Sequence, residues 1–131
     1  MEDEEIVQDL KSSYFWDTYA VIELLEGNPN YEEYSKEKIV ITVFNLVEIY
    51  YYALREYSEL EANEIYERYK LFVVKISDSI LKQAMAFRKK YKKRDFSYAD
   101  CVGYIYSLKN KIKFLTGDEG FKGMKNVEFV K

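Results

Sequence analysis

Short apolar runs alternate with segments of helical periodicity along most of the chain. The longest run covers residues 38–44 and is almost continuously apolar, as in a strand that is covered on both faces. Shorter runs predict further strands at residues 14–16, 72–76, 112–115 and 127–130. The segments between them place apolar residues three or four positions apart, which is typical of helices. This alternation predicts the α/β class, as a three-layer α/β/α sandwich around a central, mainly parallel sheet.

Capping residues mark the starts of two predicted helices. Ser97 precedes Asp100 by three positions, and Asn45 precedes Glu48 by three, which is the spacing of a capping box. We therefore expect one helix to begin just after Asn45 and another just after Ser97. Each of these helices would carry an acid in its first turn.

The size and composition of the chain indicate one soluble domain. The chain has 131 residues, of which 48% are apolar, so it can bury a real core. We assign residues 14–131 to this domain and residues 1–13 to an acidic N-terminal extension. No run of about 18 apolar residues occurs and the N-terminus is acidic, so we expect neither a membrane-spanning helix nor a signal peptide. These features predict a cytoplasmic protein.

Two absences narrow the possible chemistry. The chain has no histidine, which excludes a Ser-His-Asp triad, a Cys-His pair and a His-based zinc site within it. It has one cysteine, Cys101, which excludes an internal disulfide and a four-cysteine metal site. Cys101 is either a small packing residue or a thiolate that the start of a helix favours. Carboxylates, tyrosines, lysines and hard metal ions remain for catalysis.

Four acids lie at the predicted strand-to-helix turns. Asp17 and Asp118 each end a strand, while Glu48 and Asp100 lie in first turns of helices. If the sheet is parallel, all four converge at the carboxyl ends of the strands. Crowded carboxylates repel one another, and a Mg²⁺ or Mn²⁺ ion is the simplest neutraliser. Because such ions activate water and stabilise phosphoryl groups under attack, the four acids are candidate metal ligands and catalytic residues.

Each of these acids also has a purely structural explanation. Glu48 and Asp100 occupy positions where a capping box alone favours an acid. Asp17 could be a helix N-cap, and Asp118 could be a turn residue. Capping alone does not require all four acids at one edge of the sheet, which favours a shared site.

The residues at these turns match an ordered set of motifs. An aspartate and a hydroxyl residue, Asp17-Thr18, follow the first strand, and Glu48 begins the helix after the second. The late pair is more specific: Asp100 in Ser-Tyr-Ala-Asp, and then Asp118 in Leu-Thr-Gly-Asp after a helix and a strand. In this order and spacing, the chain from about residue 14 onward resembles the PIN-domain family, most closely the small stand-alone VapC-type toxins.

The resemblance implies a fold, an activity and a partner. The fold is a parallel sheet between helices, and the activity is Mg²⁺- or Mn²⁺-dependent cleavage of single-stranded regions of RNA. Asp17, Glu48, Asp100 and Asp118 would form the acidic cluster. Thr116 would support the cluster through its hydroxyl, and we count Thr18 and Glu119 as further supporting residues. The resemblance also implies a toxin that is restrained by a cognate antitoxin, whose basic residues enter the acidic site.

A basic run precedes the helix of Asp100. Residues 88–94 carry six positive charges, and these are our candidate RNA contacts: Arg88, Lys89, Lys90, Lys92, Lys93 and Arg94. The same charges would also suit a helix C-terminus on a solvated face. As a functional patch, the run would follow the phosphates, and Tyr91 would be available to stack on a base.

Three consecutive tyrosines, Tyr50, Tyr51 and Tyr52, span most of a helical turn, so they cannot all face the core. Exposed aromatic residues on a small domain mark an association surface more often than a base-stacking surface. We therefore expect a homodimer, with the helices of residues 48–70 as its docking surface.

Two other functions compete with a ribonuclease. A non-catalytic PIN-like module that binds RNA or protein would be expected to lack one or more of the acids, yet all four are present. A phosphatase-like hydrolase with an aspartyl nucleophile would need a second aspartate close after Asp17, and the sequence Asp-Thr-Tyr-Ala lacks it.

Overall fold

Four short parallel strands form the central sheet, in the order β2-β1-β3-β4. The strands are β1 (Ser13–Trp16), β2 (Lys38–Val40), β3 (Lys113–Thr116) and β4 (Val127–Phe129). The structure is a computed structural model that describes residues 13–131. The predicted acidic extension, apart from Ser13, therefore lies outside the described residues.

Within residues 13–131, six α-helices connect and cover the strands. They are α1 (Thr18–Leu25), α2 (Pro29–Glu32), α3 (Val43–Glu56), α4 (Glu59–Lys70), α5 (Asp78–Lys90) and α6 (Tyr98–Asn110). Short 3₁₀ segments follow α2 at Glu33–Lys36, α5 at Lys92–Arg94 and β3 at Glu119–Phe121. None of the helices in the part of the chain that the structure describes is long and apolar enough to cross a membrane.

The sheet separates two apolar cores. Phe15 and Phe114 pack with side chains of α5 and α6 on one face. Their sequence neighbours Trp16 and Leu115 pack with side chains of α1, α3 and α4 on the other face. Successive residues of a strand point to opposite faces, so the short, wholly apolar runs in β1 and β3 serve both cores. The predicted three-layer sandwich is confirmed.

The boundary between β2 and α3 differs from the prediction. The strand predicted at 38–44 ends at Val40, and α3 begins at Val43 with Thr42, not Asn45, as its N-cap. The Thr42 hydroxyl accepts a hydrogen bond from the Asn45 backbone, and the Asn45 side chain accepts one from the Thr42 backbone. The prediction was wrong because Thr42 and Asn45 already form a complete capping box three residues earlier.

The prediction of a strand at residues 72–76 is also wrong. The backbone of this segment forms a single parallel bridge, between Ile41 and Val73. Ile41 donates a hydrogen bond to Phe72 and accepts one from Val74. The next residue, Thr42, turns away to cap α3, so the segment has no further strand partner among residues 13–131 and stays too short to be a strand.

The helix α6 packs unusually close to the sheet. A Cβ atom at Gly103 would overlap the ring of Phe15, so only glycine fits at this position without a shift of that ring. This close approach holds the first turn of α6, and with it Asp100, against the carboxyl end of β1.

Candidate metal centre

Three of the four predicted acids meet at the carboxyl ends of β1 and β3. Asp17 directly follows β1, Asp100 lies in the first turn of α6, and Asp118 lies two residues after β3. Each offers one carboxylate oxygen, and these oxygens all lie within 4.8 Å of one another. Asp17 is only 2% exposed. The parallel sheet therefore gathers side chains that lie up to about one hundred positions apart in sequence.

Thr116, the last residue of β3, connects two members of this cluster. Its buried hydroxyl donates a hydrogen bond to Asp17 Oδ2 over 2.6 Å and accepts one from the Asp118 backbone over 3.0 Å. Asp118 Oδ1 in turn accepts a hydrogen bond from the backbone of Gly120. Thr116 thus fixes one carboxylate oxygen of Asp17 relative to the turn that carries Asp118.

The start of α6 fixes Asp100. Ser97 and Asp100 form the predicted capping box, in which Asp100 Oδ2 accepts a hydrogen bond from the Ser97 backbone over 2.9 Å. The Ser97 hydroxyl accepts one from the Asp100 backbone over 3.0 Å. Asp100 therefore satisfies its capping role and still offers an oxygen to the cluster.

The carboxyls of Asp17 and Asp100 are reluctant to ionise. Burial raises the pKa of Asp17 well above its usual range, and the nearby charge of Asp100 raises it further. Burial also raises the pKa of Asp100, although hydrogen bonds from Ser97 oppose this effect. The Asp118 charge raises the pKa of both groups. A divalent cation would remove the repulsion that these shifts express.

Glu48 lies near Asp100, outside the group of three aspartates, and is held by another hydroxyl. The Thr18 hydroxyl donates to Glu48 Oε1 over 2.5 Å and accepts from Asn45 Nδ2 over 3.1 Å. Burial raises the pKa of Glu48, the bond from Thr18 lowers it, and the charge of Asp100 raises it again. Since Asn45 is the third residue of α3, Glu48 falls in the second helical turn, and capping no longer explains its position.

Sequence reasoning missed the role of Asn45 at this site. Asn45 is fully buried and uses its side chain both to cap α3 and to hold Thr18. Ser97 was predicted only as a cap, but its side chain also lies close enough to Glu48 to lower the pKa of that carboxyl. The spacing of Thr42 and Asn45 was the signal that could have identified the earlier capping box.

Glu119 does not join the cluster. Its exposed carboxylate forms an ion pair with Lys131 over 3.5 Å. Lys131 also donates a hydrogen bond to the backbone of Gly117 over 2.9 Å. Lys131 therefore links Glu119 to Gly117 in the turn that carries Asp118, and the predicted supporting role of Glu119 stays a prediction.

The basic run reaches the same edge of the sheet. Arg88 donates a hydrogen bond to the Phe96 backbone, next to Ser97, and its guanidinium lies 4.5 Å from the ring centroid of Tyr98. Arg94 donates a hydrogen bond to the Gly120 backbone over 2.8 Å. The four lysines of the run, Lys89, Lys90, Lys92 and Lys93, are exposed.

Cys101 is a packing residue. Its side chain is fully buried in the core between the sheet, α5 and α6. Burial raises the pKa of the Cys101 thiol to about 11, with a smaller contribution from the charge of Asp100. A protonated, buried thiol is a poor metal ligand, so the site offers oxygen donors.

The donor set fits a hard divalent cation. Three carboxylates, further carboxylate and hydroxyl oxygens beside them, and a chain without histidine match the preference of Mg²⁺ and Mn²⁺ for oxygen. Asp17, Asp100 and Asp118 are the residues that would hold the ion. Glu48 lies at the edge of this group, where it could contact an ion directly or through water.

Removing the hydroxyl of Thr116 should destabilise the protein. Thr116→Val leaves the Asp118 N–H without its side-chain acceptor and Asp17 Oδ2 without the Thr116 donor, so we expect a loss of about 1–3 kcal/mol in the free energy of unfolding. Urea unfolding followed by the fluorescence of the single, buried tryptophan, Trp16, measures this. Thr116→Ser keeps the hydroxyl and is the control. Equal stability of the two variants would contradict the linking role of this hydroxyl.

Comparisons with known proteins agree with this architecture. A family model described as the PIN domain matches residues 14–127. Among solved structures, a toxin-antitoxin complex from Klebsiella pneumoniae contains a chain with the same fold, with a TM-score of 0.69 and 18% sequence identity over 88% of this chain and 95% of that one. No curated protein matches the sequence. The chain belongs to the PIN-domain family, as its motifs predicted.

Proposed function

We propose that this protein is a Mg²⁺- or Mn²⁺-dependent endoribonuclease that cleaves single-stranded regions of RNA. The observation that carries the proposal is the meeting of Asp17, Asp100 and Asp118 within 4.8 Å of one another at one edge of a parallel sheet. PIN domains are generally nucleases, and this chain retains all four acids that the family motif predicts.

The chain's own residues supply position and charge. Asp17, Asp100 and Asp118 would hold the cation, and the hydroxyl of Thr116 fixes the position of Asp17 relative to Asp118. Thr18 directs the carboxylate of Glu48 toward the same edge. When bound, a divalent ion supplies an activated water and neutralises charge that develops on the phosphoryl group.

The position of the basic run supports RNA as the substrate. An acidic cluster alone repels a polyanion, so a cationic surface is needed next to it. Arg94 contacts Gly120, two residues from Asp118, and Arg88 contacts the loop just before Ser97. Four exposed lysines continue this surface away from the cluster, where they could follow the phosphates of a strand.

Cleavage of a labelled single-stranded RNA tests the proposal. We expect cutting in Mg²⁺ or Mn²⁺, no cutting in EDTA, and slower cutting of the same sequence in a perfect duplex. Metal binding without any cleavage of a varied RNA pool would instead support the non-catalytic binding module. A failure to bind metal would leave Asp17, Asp100 and Asp118 as helix caps and turn residues.

We further propose a toxin that acts in the cytoplasm and is restrained by a cognate antitoxin. The support is the resemblance to VapC-type toxins together with the fold shared with a chain of the toxin-antitoxin complex. An antitoxin of this kind would place basic residues into the cluster of Asp17, Asp100 and Asp118. Co-expression with the product of the neighbouring gene, followed by a growth assay, tests this role.

An exposed apolar stripe on α3 supports the proposed homodimer. Val47 is 62% and Tyr51 64% exposed, and Val43 and Leu54 extend the same side of the helix. Tyr51 is the exposed member of the three tyrosines, because Tyr52 is buried and Tyr50 donates a hydrogen bond to Asn63 on α4. An apolar stripe of this kind is more stable when a second copy covers it.

Introducing a charge into this stripe should weaken the dimer. Val47→Glu would bury an unpaired carboxylate at the interface, so we expect the dissociation constant to rise at least about 10-fold. Sedimentation velocity over a range of concentrations measures it. Leu71→Glu is the matched control, since Leu71 is 82% exposed and lies off α3. If Val47→Glu and Leu71→Glu associate like the wild type, the stripe is not the interface.

A further inference from the structure

A surface groove combines aromatic walls with a cationic rim. It has a volume of about 340 Å³ and is formed by α5, α6, the 3₁₀ segment after α5 and the chain before β4. Its lining residues are Phe87, Lys90, Tyr91, Arg94, Tyr104, Leu108, Met124 and Lys125. The volume lies near the lower end of the range for small-ligand sites, which suits a ligand of the size of one nucleotide.

The aromatic side chains form a packed floor and wall. Tyr104 is buried and donates a hydrogen bond to the Lys125 backbone over 2.7 Å, which holds the chain before β4 against α6. Phe87 lies 5.2 Å from Tyr104 and 4.7 Å from Tyr91, measured between ring centroids. Phe87 and Tyr91 are half-buried and line the groove, so part of each side chain is accessible to a ligand there.

The charged residues that line the groove are all positive. Lys90, Arg94 and Lys125 are exposed, and no acid is among the described residues that line the groove. Lys90 Nζ lies 5.5 Å and Arg94 Cζ 5.7 Å from the ring centroid of Tyr91. The groove thus offers stacking surfaces and cations within a few ångströms of each other, a combination that complements a base and its phosphate.

Arg94 connects the groove to the proposed catalytic edge. Its guanidinium lines the groove and donates a hydrogen bond to the Gly120 carbonyl. The Gly120 N–H donates to Asp118 Oδ1. An RNA strand whose scissile phosphate lies at the acidic cluster would therefore place a neighbouring nucleotide, and not that phosphate, in the groove.

We propose that this groove binds one nucleotide of the RNA substrate outside the scissile position, with its base against Phe87 and Tyr91 and its phosphates near Lys90, Arg94 and Lys125. This inference rests on the proposed ribonuclease function. The three positive charges favour a nucleotide over an apolar peptide as the ligand. An uncharged peptide would remove water from these charges without forming any ion pair in return.

RNA binding by paired lysine variants tests the groove. The probe is a fluorescein-labelled single-stranded RNA, titrated in Mg²⁺ into Asp100→Asn protein so that the probe stays intact. Lys90→Ala/Lys125→Ala removes two groove cations, and Lys82→Ala/Lys109→Ala removes two exposed cations from α5 and α6 outside the groove. For each lost phosphate contact we expect about 5-fold weaker binding at 0.1 M salt and a salt slope smaller by about 0.7.

The outcomes separate this inference from the proposed function. Weaker binding of the groove variant alone supports the groove, and so does crosslinking of 5-iodouridine in the probe to Phe87 or Tyr91. Equal affinities of the two double variants overturn the groove, even if the wild type cleaves RNA. If the wild type never cleaves but binding still depends on Lys90 and Lys125, the groove stands and the nuclease proposal fails. Displacement of the probe by an apolar peptide, without any effect of the lysine changes, would also overturn it.

Discussion

Replacing Asp100 with asparagine should lower metal-dependent RNA cleavage at least about 100-fold in kcat/KM, because even indirect supports of a metal site are worth about 10–100-fold. Asparagine keeps the size of the side chain and one oxygen that can accept the hydrogen bond from the Ser97 backbone. It removes the negative charge that the cation needs. The loss should therefore appear as weaker metal binding together with slower cleavage.

The same variant should be at least as stable as the wild type without metal. Burial and the charge of Asp118 raise the pKa of Asp100, so the ionised carboxylate destabilises the folded state. A carboxyl with a raised folded-state pKa contributes stability at low pH and loses it as the pH rises through that pKa. The stability advantage of Asp100→Asn should therefore grow between acidic and neutral pH. Thermal unfolding in EDTA at several pH values measures it.

A second capping box provides the control for this change. Glu61 accepts a hydrogen bond from the Ser58 backbone at the start of α4, as Asp100 does from Ser97 at the start of α6. Glu61 is exposed and lies outside the acidic cluster. Glu61→Gln should retain full cleavage. If Asp100→Asn also cleaves at the wild-type rate in a preparation free of other nucleases, Asp100 is only a cap.

Replacing Phe121 with alanine should cost about 3–5 kcal/mol in the free energy of unfolding. Phe121 ends the 3₁₀ turn that follows Asp118 and is fully buried. Its ring lies 4.3 Å from Phe96 and 4.7 Å from Phe114, measured between centroids. The substitution would leave a cavity between the sheet and the loop before α6. A cost of this size is about a third or more of the free energy of unfolding of a typical domain.

Urea unfolding at one fixed protein concentration measures this loss, with Trp16 fluorescence as the probe. Leu71→Ala is the control, because Leu71 is 82% exposed and should change stability by less than about 0.5 kcal/mol. A loss below about 1 kcal/mol for Phe121→Ala would contradict the packing of this turn, since buried Phe-to-Ala changes cost far more. The turn that carries Asp118 would then need another anchor.

Much of the acidic cluster could be predicted because its signals are local. Asp17 directly follows an apolar run, Ser97 and Asp100 form a capping box, and Thr116 and Asp118 end another apolar run. A parallel sheet then brings these turns to one edge whatever their separation in sequence. The catalytic and metal-binding roles of these residues stay predictions.

Other features depend on contacts that a sequence pattern does not show. The apolar run at 38–44 looked continuous, but Thr42 and Asn45 end the strand early with a hydrogen-bonded cap. The run at 72–76 is apolar enough for a strand, yet in the described part of the chain it pairs through a single bridge, to Ile41. The groove was not visible because distant segments supply its residues, such as Phe87, Tyr104 and Lys125.

Anomalous diffraction from crystals grown with Mn²⁺ tests the central claim most directly. We expect an anomalous peak at bonding distance from carboxylate oxygens of Asp17, Asp100 and Asp118, and loss of that peak in Asp100→Asn. Manganese bound only at other surface carboxylates, with none between these three aspartates at saturating concentration, would contradict it.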